Sequence, residues 1–385
     1  MTLLSLLKDY PNISLATEGD NEEILEYYHR SQLTTSSHNI IYKRGRDFFS
    51  FMKEKSSEYL VFLLRDEQET IQGIATVSYR DGYINSKLVK VGYLGDLRIS
   101  LNRKLIRQWR GFFSLFINNS KNLEETFHCR HYQTALVHDN VQSRNNLANS
   151  KIKGIKYSLL EDYHMVNIVG SYGFRKSQNY KIDKVTQENI VELINFLESD
   201  HKLRSFGLEY KSELSYRFKN WEDYSKKNWI LLRDPRTDEI LAATSLWGPK
   251  SSKQLLISGV PTMFKLLKVI SKYIPFLDVF DLPQEEKAIS IKYINQVSFK
   301  EDISRIEKGV LFKELVNYFY CEFRGLNLLA YCDFDRENFK SELKGYFTHA
   351  TAMGLYTVHK VSEDGETFDI IEACGNMPAF DMALV

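Results

Sequence analysis

A repeated hairpin is the feature that most constrains this sequence. Residues 62–78 read FLLRDEQETIQGIATVS, and residues 230–246 read ILLRDPRTDEILAATSL. Both segments carry LLRD, a polar stretch and a second apolar run, which is the pattern of two antiparallel strands joined by a turn. Two similar hairpins can arise by chance, so the elements that follow each of them decide whether the chain is duplicated.

The elements after the two hairpins come in the same order. The pattern predicts a strand, a helix, a strand and a second helix after each hairpin. In the first copy these elements lie at 90–99, 106–118, 132–137 and from Asn140. In the second copy they lie at 289–297, 308–323, 326–332 and from Arg336. A helix-rich region also precedes each hairpin, so we predict an α/β (α+β) chain of two homologous domains, residues 1–175 and 176–385, the second with an insertion near 251–288.

The composition excludes several classes of protein. The chain has 51 Lys and Arg against 50 Asp and Glu, which argues against a nucleic-acid partner. Its most membrane-like stretch, 255–277, contains three lysines, so we predict no membrane span and no membrane partner. The four cysteines lack CxxC or Cys/His spacing, which predicts neither a disulfide framework nor a metal site. The N-terminus lacks a signal-peptide pattern, and a cytoplasmic location is expected.

Several segments of the first half resemble the GCN5-related N-acetyltransferases (GNATs). ISLATEGDNEEILEYY resembles the first strand and helix of that family, VGYLGDLRIS its fourth strand, RQWRGFF its pyrophosphate loop, and TALVHDNVQSRNNL its fifth strand and the helix after it. The second half matches in element order, with weaker motifs. The resemblance implies two tandem GNAT-like domains, each a mixed, mostly antiparallel sheet flanked by helices. It also implies acetyl-CoA or another acyl-CoA as a cosubstrate.

Positive charge gathers where the fourth strand of the first half gives way to a helix. A helix N-terminus presents unpaired N–H groups and a partial positive charge, which suit a pyrophosphate. The resemblance places the phosphates of coenzyme A on this turn and the pantetheine arm on the free backbone at Leu97 and Ile99. The other expected cofactor-binding residues are Arg103, Lys104, Arg107, Gln108, Arg110, Gly111 and, after the fifth strand, Asn140.

The loop motif departs from the family pattern. The family loop reads Q/R-x-x-G-x-G/A, and Gln108, Gly111 and Phe113 fit this spacing except for the bulky Phe. Alignment of WRG with the aromatic-Arg-Gly form instead puts Phe113 and Leu115 where glycines are expected. The Phe either crowds the pyrophosphate or packs beneath a wider loop, and a basic helix start without a ligand is the open alternative.

The expected catalytic acid is missing from its usual place. Family members often carry N-x-x-A-x-x-x-Y, in which the Tyr protonates the departing thiolate. Here Asn140, Ser143 and Leu147 occupy the three positions. Tyr157 replaces the acid only if the helix is displaced, and otherwise it is a core or strand aromatic.

Two residues are candidates for accepting the proton of an attacking amine. Asp96 stands beside the strand end where the acyl group is expected, although an ion pair with Arg98 is the competing structural role. His131, on the fifth strand, is the second candidate, and a lone His at such a place is often structural.

The second half has no recognisable phosphate loop. Acidic residues stand at the equivalent turn and would repel a pyrophosphate: Glu301, Asp302 and Glu307. We predict a structural or acceptor-binding role for this half, in which Tyr293 and Asn295 face a pocket or belong to the core.

Three functions stay open. The first is an acyl-CoA-dependent N-acyltransferase, most simply an acetyltransferase, that moves the acyl group to a small-molecule or peptide amine by direct attack. The second is a degenerate module that binds CoA, an acyl carrier or a protein partner without catalysis. The third is a tRNA-dependent aminoacyl transferase, which requires a basic groove that the charge balance disfavours. We predict the first, with no prediction of the acceptor or of the oligomeric state.

Overall fold

The computed structural model shows strands and helices that alternate along the chain. The structure describes residues 2–31, 40–148, 152–172, 180–257, 259–260, 262–281, 284, 287–322, 325–361 and 376–385. The first half contains α1 (Leu3–Leu7), β1 (Ile13–Leu15), α2 (Asn21–Arg30), β2 (Ile40–Arg44), α3 (Phe48–Lys55), β3 (Glu58–Arg65), β4 (Ile71–Ile84), β5 (Lys87–Ile99), α4 (Arg103–Asn119), β6 (His131–Val137), α5 (Val141–Asn146) and β7 (Ile155–Tyr172).

The second half repeats this order with an insertion between its third and fourth main strands. Its elements are β8 (Lys181–Lys184), α6 (Ile190–His201), β9 (Gly207–Leu208), α7 (Tyr210–Asn220), β10 (Trp229–Arg233), β11 (Ile240–Trp247), β12 (Lys253–Ile257), α8 (Thr262–Ser271), β13 (Leu277–Val279), β14 (Ile291–Phe299), α9 (Arg305–Glu322), β15 (Leu328–Phe334) and β16 (Tyr346–Lys360). The inserted elements are β12, α8 and β13.

One sheet runs through both halves. Within the described residues its order is β1-β3-β4-β5-β6-β16-β7-β15-β14-β11-β10-β8, with β9 and β13 attached at its sides. The last strand of the second half, β16, lies between β6 and β7 of the first half. The last strand of the first half, β7, lies between β16 and β15. Each half therefore completes its sheet with the final strand of the other half.

Each half contains one pair of neighbouring parallel strands that separates midway. β5 pairs with β6 only at 91–93, and β14 pairs with β15 only at 291–294, among the described residues. A residue with left-handed backbone follows each paired stretch, Asp96 with φ 54° and Gln296 with φ 43°. The register toward the outer neighbouring strand shifts at the same places, which is the geometry of a β-bulge. The bulges bend β5 and β14 away from their parallel partners.

A second contact joins the halves away from the main sheet. β2 of the first half and β12 of the insertion form a two-stranded antiparallel sheet. One buried apolar cluster also takes residues from both halves, among them Val91, Tyr163, Leu193 and Trp229. Because this core is shared, burial of apolar surface stabilises the two halves together.

The predicted order of elements is confirmed in both halves, with one exception. The helix predicted from Arg336 is wrong, since this segment forms only a short 3-10 turn, Phe339–Glu342. The carboxylate of Asp333 accepts the main-chain N–H groups of Phe339 and Lys340 at 2.7 and 2.9 Å, which fixes the tight turn. The predicted domain boundary between 175 and 176 lies outside the described residues, and the division stays a prediction. No helix in the described ranges has the length and apolarity that crossing a bilayer requires.

The strand exchange predicts that neither half folds alone. A fragment of residues 1–175 would keep β7 but lose both strands that flank it, which leaves long unpaired edges. We expect fragments 1–175 and 176–385 to aggregate when produced separately and to form a soluble one-to-one complex when produced together. Size-exclusion chromatography and circular dichroism, with the intact chain as control, would measure this. A monomeric 1–175 fragment with a cooperative unfolding transition would contradict the prediction.

Candidate functional site

Asp96, the first candidate base, lies where β5 bends away from β6. Its left-handed backbone is unusual for a residue with a side chain and needs support from its surroundings. That support comes from four groups that bond its buried carboxylate: the Tyr28 hydroxyl at 2.5 Å, the Lys55 amine and the Thr76 hydroxyl at 3.1 Å each, and the Arg44 guanidinium. The carboxylate is fully engaged in holding the bulge.

The electrostatics of this cluster argue against Asp96 as a base. Burial raises the pKa of a carboxyl group, but the neighbouring Arg44 and Lys55 cations outweigh burial and hold the pKa of Asp96 well below its usual range. A carboxylate with so low a pKa is a poor proton acceptor at neutral pH. The expected partner, Arg98, lies elsewhere: its guanidinium stacks on the Tyr28 ring at 3.9 Å. Asp96 is therefore structural, with different ion-pair partners from the one predicted.

The predicted pyrophosphate loop is wrong in its placement, because its residues lie inside helix α4. Asn102 caps the helix, and its side-chain oxygen accepts the N–H groups of Lys104 and Leu105 at 2.9 and 3.3 Å. Gln108 and Gly111 lie in the second and third turns of this helix. The segment RQWRGFF is thus an amphipathic helix pattern and not a loop.

The contacts of these residues explain why the helix continues through them. The side-chain amide of Gln108 donates to a side chain of the N-terminal segment at 2.9 Å. Gly111 gives room to Tyr10, whose hydroxyl would lie 3.0 Å from an added Cβ. Phe113 is buried and its ring stacks on Trp109 at 5.7 Å. The glycine therefore serves helix packing, and the Phe that departs from the family motif belongs to the core.

The positive charge of α4 forms a separate exposed surface. Arg103, Arg107 and Arg110 are spaced four and three residues apart, so they share one face, which we call the basic face of α4. Arg110 donates to the Asn146 side chain of α5 at 3.3 Å. Since α4 follows β5 and α5 follows β6, the basic face borders the opening between these two strands. Lys104 points elsewhere and pairs with a surface carboxylate at 2.9 Å.

The structure brings three predicted cofactor residues to this opening. Leu97 and Ile99 lie on β5 beyond its pairing with β6. Their side chains pack against a buried apolar cluster that includes Phe62, Trp109 and Phe112, which we call the first-half core. Asn140 lies in the turn between β6 and α5, beside the opening. Along this stretch of β5, β4 is the only neighbouring strand that the described residues provide.

Two predicted catalytic residues lie away from the opening. His131 is the first residue of β6 and pairs with Val91, at the end of the strand opposite the opening. Tyr157 lies in β7 and packs against the first-half core, and burial raises its pKa above the ordinary value. Tyr157 thus has the position of a strand aromatic, the alternative weighed from the sequence.

The second half has a polar pocket at the equivalent separation of β14 and β15. Four buried donors face no partner among the described residues: Asn295 Nδ2, Gln296 Nε2, Tyr331 OH and Arg204 Nε. The cavity volume is about 30 Å³, which holds one or two water molecules. Another nitrogen of Arg204 donates to the main-chain oxygen of Val297 at 2.9 Å. The freed edge of β14 is therefore partly filled by the protein itself.

Lys253 of β12 is a candidate site residue that sequence reasoning missed. Its side chain is buried, its amine donates to the main-chain oxygen of Val385, and it lies 5.7 Å from the Phe51 ring. Burial, together with the positive charges of Arg44 and Lys55, lowers the pKa of Lys253 to about 7. A large part of the amine is therefore uncharged at neutral pH. No local signal marks this lysine, because KQLLI is an ordinary strand pattern.

A pocket lies beside this lysine, on the surface that β4, β5 and β6 share with the C-terminal segment. Its lining includes Lys55, Arg80, Tyr93, Gln133 and Val385. Lys253 does not line the pocket but donates to the main-chain oxygen of Val385, which does. No three metal-ligating side chains of the described chain gather in a form suited to a metal ion.

Solved structures share this architecture. An N-myristoyltransferase of Saccharomyces cerevisiae is 10% identical, with a TM-score of 0.56, and the match covers 91% of this chain and 83% of that one. The GCN5-related glucosamine N-acetyltransferase region of a fungal multidomain β-N-acetylglucosaminidase is 15% identical, with a TM-score of 0.59. That match covers 90% of this chain and 38% of the fungal one. The chain has the tandem GNAT fold.

The likeness at these identities concerns the fold. Neither the comparison with family models nor the comparison with curated proteins finds a match. The predicted tandem GNAT architecture, with a mixed sheet flanked by helices, is confirmed. In the first half, β5 is bulged at Asp96 and separates from β6, and helix α4 follows it.

The Asp96 cluster predicts a large cost for neutralising its carboxylate. Asp96→Asn would leave the buried cations Arg44 and Lys55 without their counter-charge, so we expect a loss of about 3–5 kcal/mol in the free energy of unfolding. Urea unfolding at neutral pH measures this. Asp81→Asn, which breaks a half-exposed pair with Lys90, is the matched control, with an expected loss of at most about 1 kcal/mol. An equally small loss for Asp96→Asn would show that the cluster does not hold the bulge.

The lowered pKa of Lys253 predicts that the free energy of unfolding rises with pH. Between pH about 7 and its ordinary pKa of 10.5, the unfolded lysine binds a proton that the folded one does not, so the free energy of unfolding increases with pH in this window. Lys253→Met should flatten that increase relative to the wild type. Burial raises the pKa of the neighbouring Glu54 to about 7, so Glu54 titrates mainly below this pH window. Lys55 is present in both the wild type and Lys253→Met, so it does not distinguish them. Denaturant unfolding across the window measures the slopes, with the exposed Lys250→Met as control. Equal slopes in all three proteins would refute the lowered pKa.

Proposed function

We propose that the chain is an acyl-CoA-dependent N-acyltransferase, with acetyl-CoA as the first donor to test. The observation that carries this proposal is the opening between β5 and β6. Beyond 91–93, one side of β5 has no strand neighbour among the described residues, so its main-chain N–H and C=O groups can pair with an extended ligand. The amides of a pantetheine arm suit such an edge.

The charges at the two openings favour the first half as the acyl-CoA site. The basic face of α4 offers guanidinium groups to phosphates at the mouth of the first opening. At the second opening, Glu301, Asp302 and Glu307 are exposed around the start of α9. Arg204 also occupies an oxygen of the β14 edge there. The second opening is thus less suited to a pyrophosphate and a pantetheine arm.

The comparisons support this chemistry. The yeast N-myristoyltransferase is described with bound myristoyl-CoA, and the fungal region as a glucosamine N-acetyltransferase. Both names denote transfer of an acyl group to nitrogen. We extend that shared reaction type to this chain, and leave the acyl chain and the acceptor to experiment.

The proposed reaction is a direct transfer. The acceptor amine attacks the thioester carbon, a C–N bond forms, the C–S bond breaks, and coenzyme A leaves as its thiolate. A main-chain N–H of β5 would stabilise the oxyanion, and the amine loses one proton. Lys253 is our candidate acceptor for that proton, because its amine is partly uncharged at neutral pH and adjoins the pocket through Val385. The thiolate then takes up a proton from solvent.

Calorimetric titration tests the donor site. We expect acetyl-CoA, or a longer acyl-CoA such as myristoyl-CoA, to bind saturably to the wild type. Arg103→Glu with Arg107→Glu should weaken binding by at least about tenfold, because it replaces charge-assisted contacts with repulsion. The matched control is Arg305→Glu with Lys308→Glu, at the start of α9, which should leave the affinity unchanged.

Thiol release then separates catalysis from binding. The wild type should release coenzyme A faster in the presence of a mixture of amines, and Lys253→Met should lower the rate without a matching loss of acyl-CoA affinity. Binding without amine-dependent release would favour the non-catalytic module. A lack of binding by every acyl-CoA, or an effect confined to the α9 variant, would contradict the proposed site.

A further inference from the structure

The insertion of the second half adds surface that has no counterpart in the first half. In the first half a tight turn joins β4 to β5, whereas in the second half residues 248–290 separate β11 from β14. This insertion contains helix α8, which contacts the short strand β13, and β13 pairs with the end of β7. None of the side chains of α8 is fully buried.

The outward side of α8 is apolar. Side chains three and four residues apart fall on one side of a helix, and here four of them are exposed. They are Met263, Leu266, Val269 and, in the turn after the helix, Tyr273, which is 81% exposed. We call these four residues the α8 face. An exposed apolar cluster of this kind is typical of an interaction surface.

The charged residues on α8 and next to it in the sequence are lysines. The sequence has no Asp or Glu between Glu239 and Asp278, while Lys265, Lys268 and Lys272 lie on α8 or just after it. Lys268 donates to the main-chain oxygen of Val279 in β13 at 2.7 Å and pairs with the Asp281 carboxylate at 3.2 Å, which holds the helix in place. Lys265 and Lys272 are exposed, lie along one border of the α8 face, and form no ion pair with the described residues.

We propose that the α8 face binds the surface of a membrane that contains anionic lipids. An amphipathic helix with an apolar stripe and bordering lysines lies parallel to a bilayer, with its apolar side chains among the acyl chains and its lysines at the anionic headgroups. Tyr273, with an apolar ring and a polar hydroxyl, suits the interfacial region. Helix α8 has ten residues, whereas a bilayer span needs about 20, so it lies on the membrane and does not cross it.

This inference revises the sequence prediction that no membrane takes part. That prediction rested on the three lysines, which interrupt a possible span. The structure places two of them at the border of an exposed apolar face, where they favour surface binding. The proposal is independent of acyl-CoA binding, because no residue of the α8 face lies at the opening between β5 and β6.

Vesicle co-sedimentation tests the proposal with the intact chain. We expect binding to vesicles of phosphatidylcholine with phosphatidylserine, and little binding to phosphatidylcholine alone. Leu266→Glu with Val269→Glu should weaken binding by at least about tenfold, since each removes an apolar side chain from the lipid. Lys265→Glu with Lys272→Glu should weaken it similarly and reduce its dependence on salt.

Matched variants control for nonspecific effects. Val191→Glu replaces a single exposed apolar residue of α6, and Lys202→Glu with Lys211→Glu changes exposed lysines elsewhere, so both should bind like the wild type. Light scattering without vesicles gives the oligomeric state. Equal sedimentation of all variants would overturn the proposal. Self-association that is lost with Leu266→Glu and Val269→Glu would also overturn it, because a second copy would then be the occupant.

Discussion

The antiparallel pairing of β7 with β16 is the contact on which the rest of this structure depends. The two strands run side by side from Ile155 opposite Lys360 to Ser171 opposite Tyr346. The final strand of each half lies next to strands of the other half, so neither half forms a complete sheet by itself. The two halves in this way share one sheet, and one apolar cluster draws on both of them. Sites that need residues from both halves become possible because this pairing fixes their positions.

The two bulges show how the equivalent positions of the two halves differ. Asp96 and Gln296 both have left-handed backbone and both follow a short parallel pairing. The first is an anion surrounded by cations, which holds β5 in place and leaves its outer edge open. The second is neutral, and its amide faces a narrow pocket beside Arg204, which already occupies part of the β14 edge. The same backbone geometry thus supports an open edge in one half and a small polar pocket in the other.

Local sequence patterns predicted most of the strands and helices, whereas contacts between residues far apart in the chain could not be predicted. The hairpins, β5, α4 and β6 follow from periodicity, and the repeat of their order predicts two similar halves. The placement of a phosphate loop at Gln108 and Gly111 was wrong because glycine in a helix is readily mistaken for a loop, and only the contact with Tyr10 explains it. The exchange of β7 and β16 joins residues far apart in the chain, which no local pattern encodes. Nor does any pattern show that Lys253 is buried.

In the proposed reaction, the position of Lys253 gives the second half a chemical role. The open edge of β5 belongs to the first half, whereas this lysine belongs to the insertion of the second half, on the strand that pairs with β2. Arg44, on β2, bonds Asp96 at the bulge, and its positive charge adds to burial in lowering the pKa of Lys253. One arginine therefore couples the shape of the proposed acyl-CoA edge to the protonation of the lysine, across the contact between the halves. A single GNAT unit has no second half to supply such a lysine, so in this chain the proposed proton acceptor depends on the tandem arrangement.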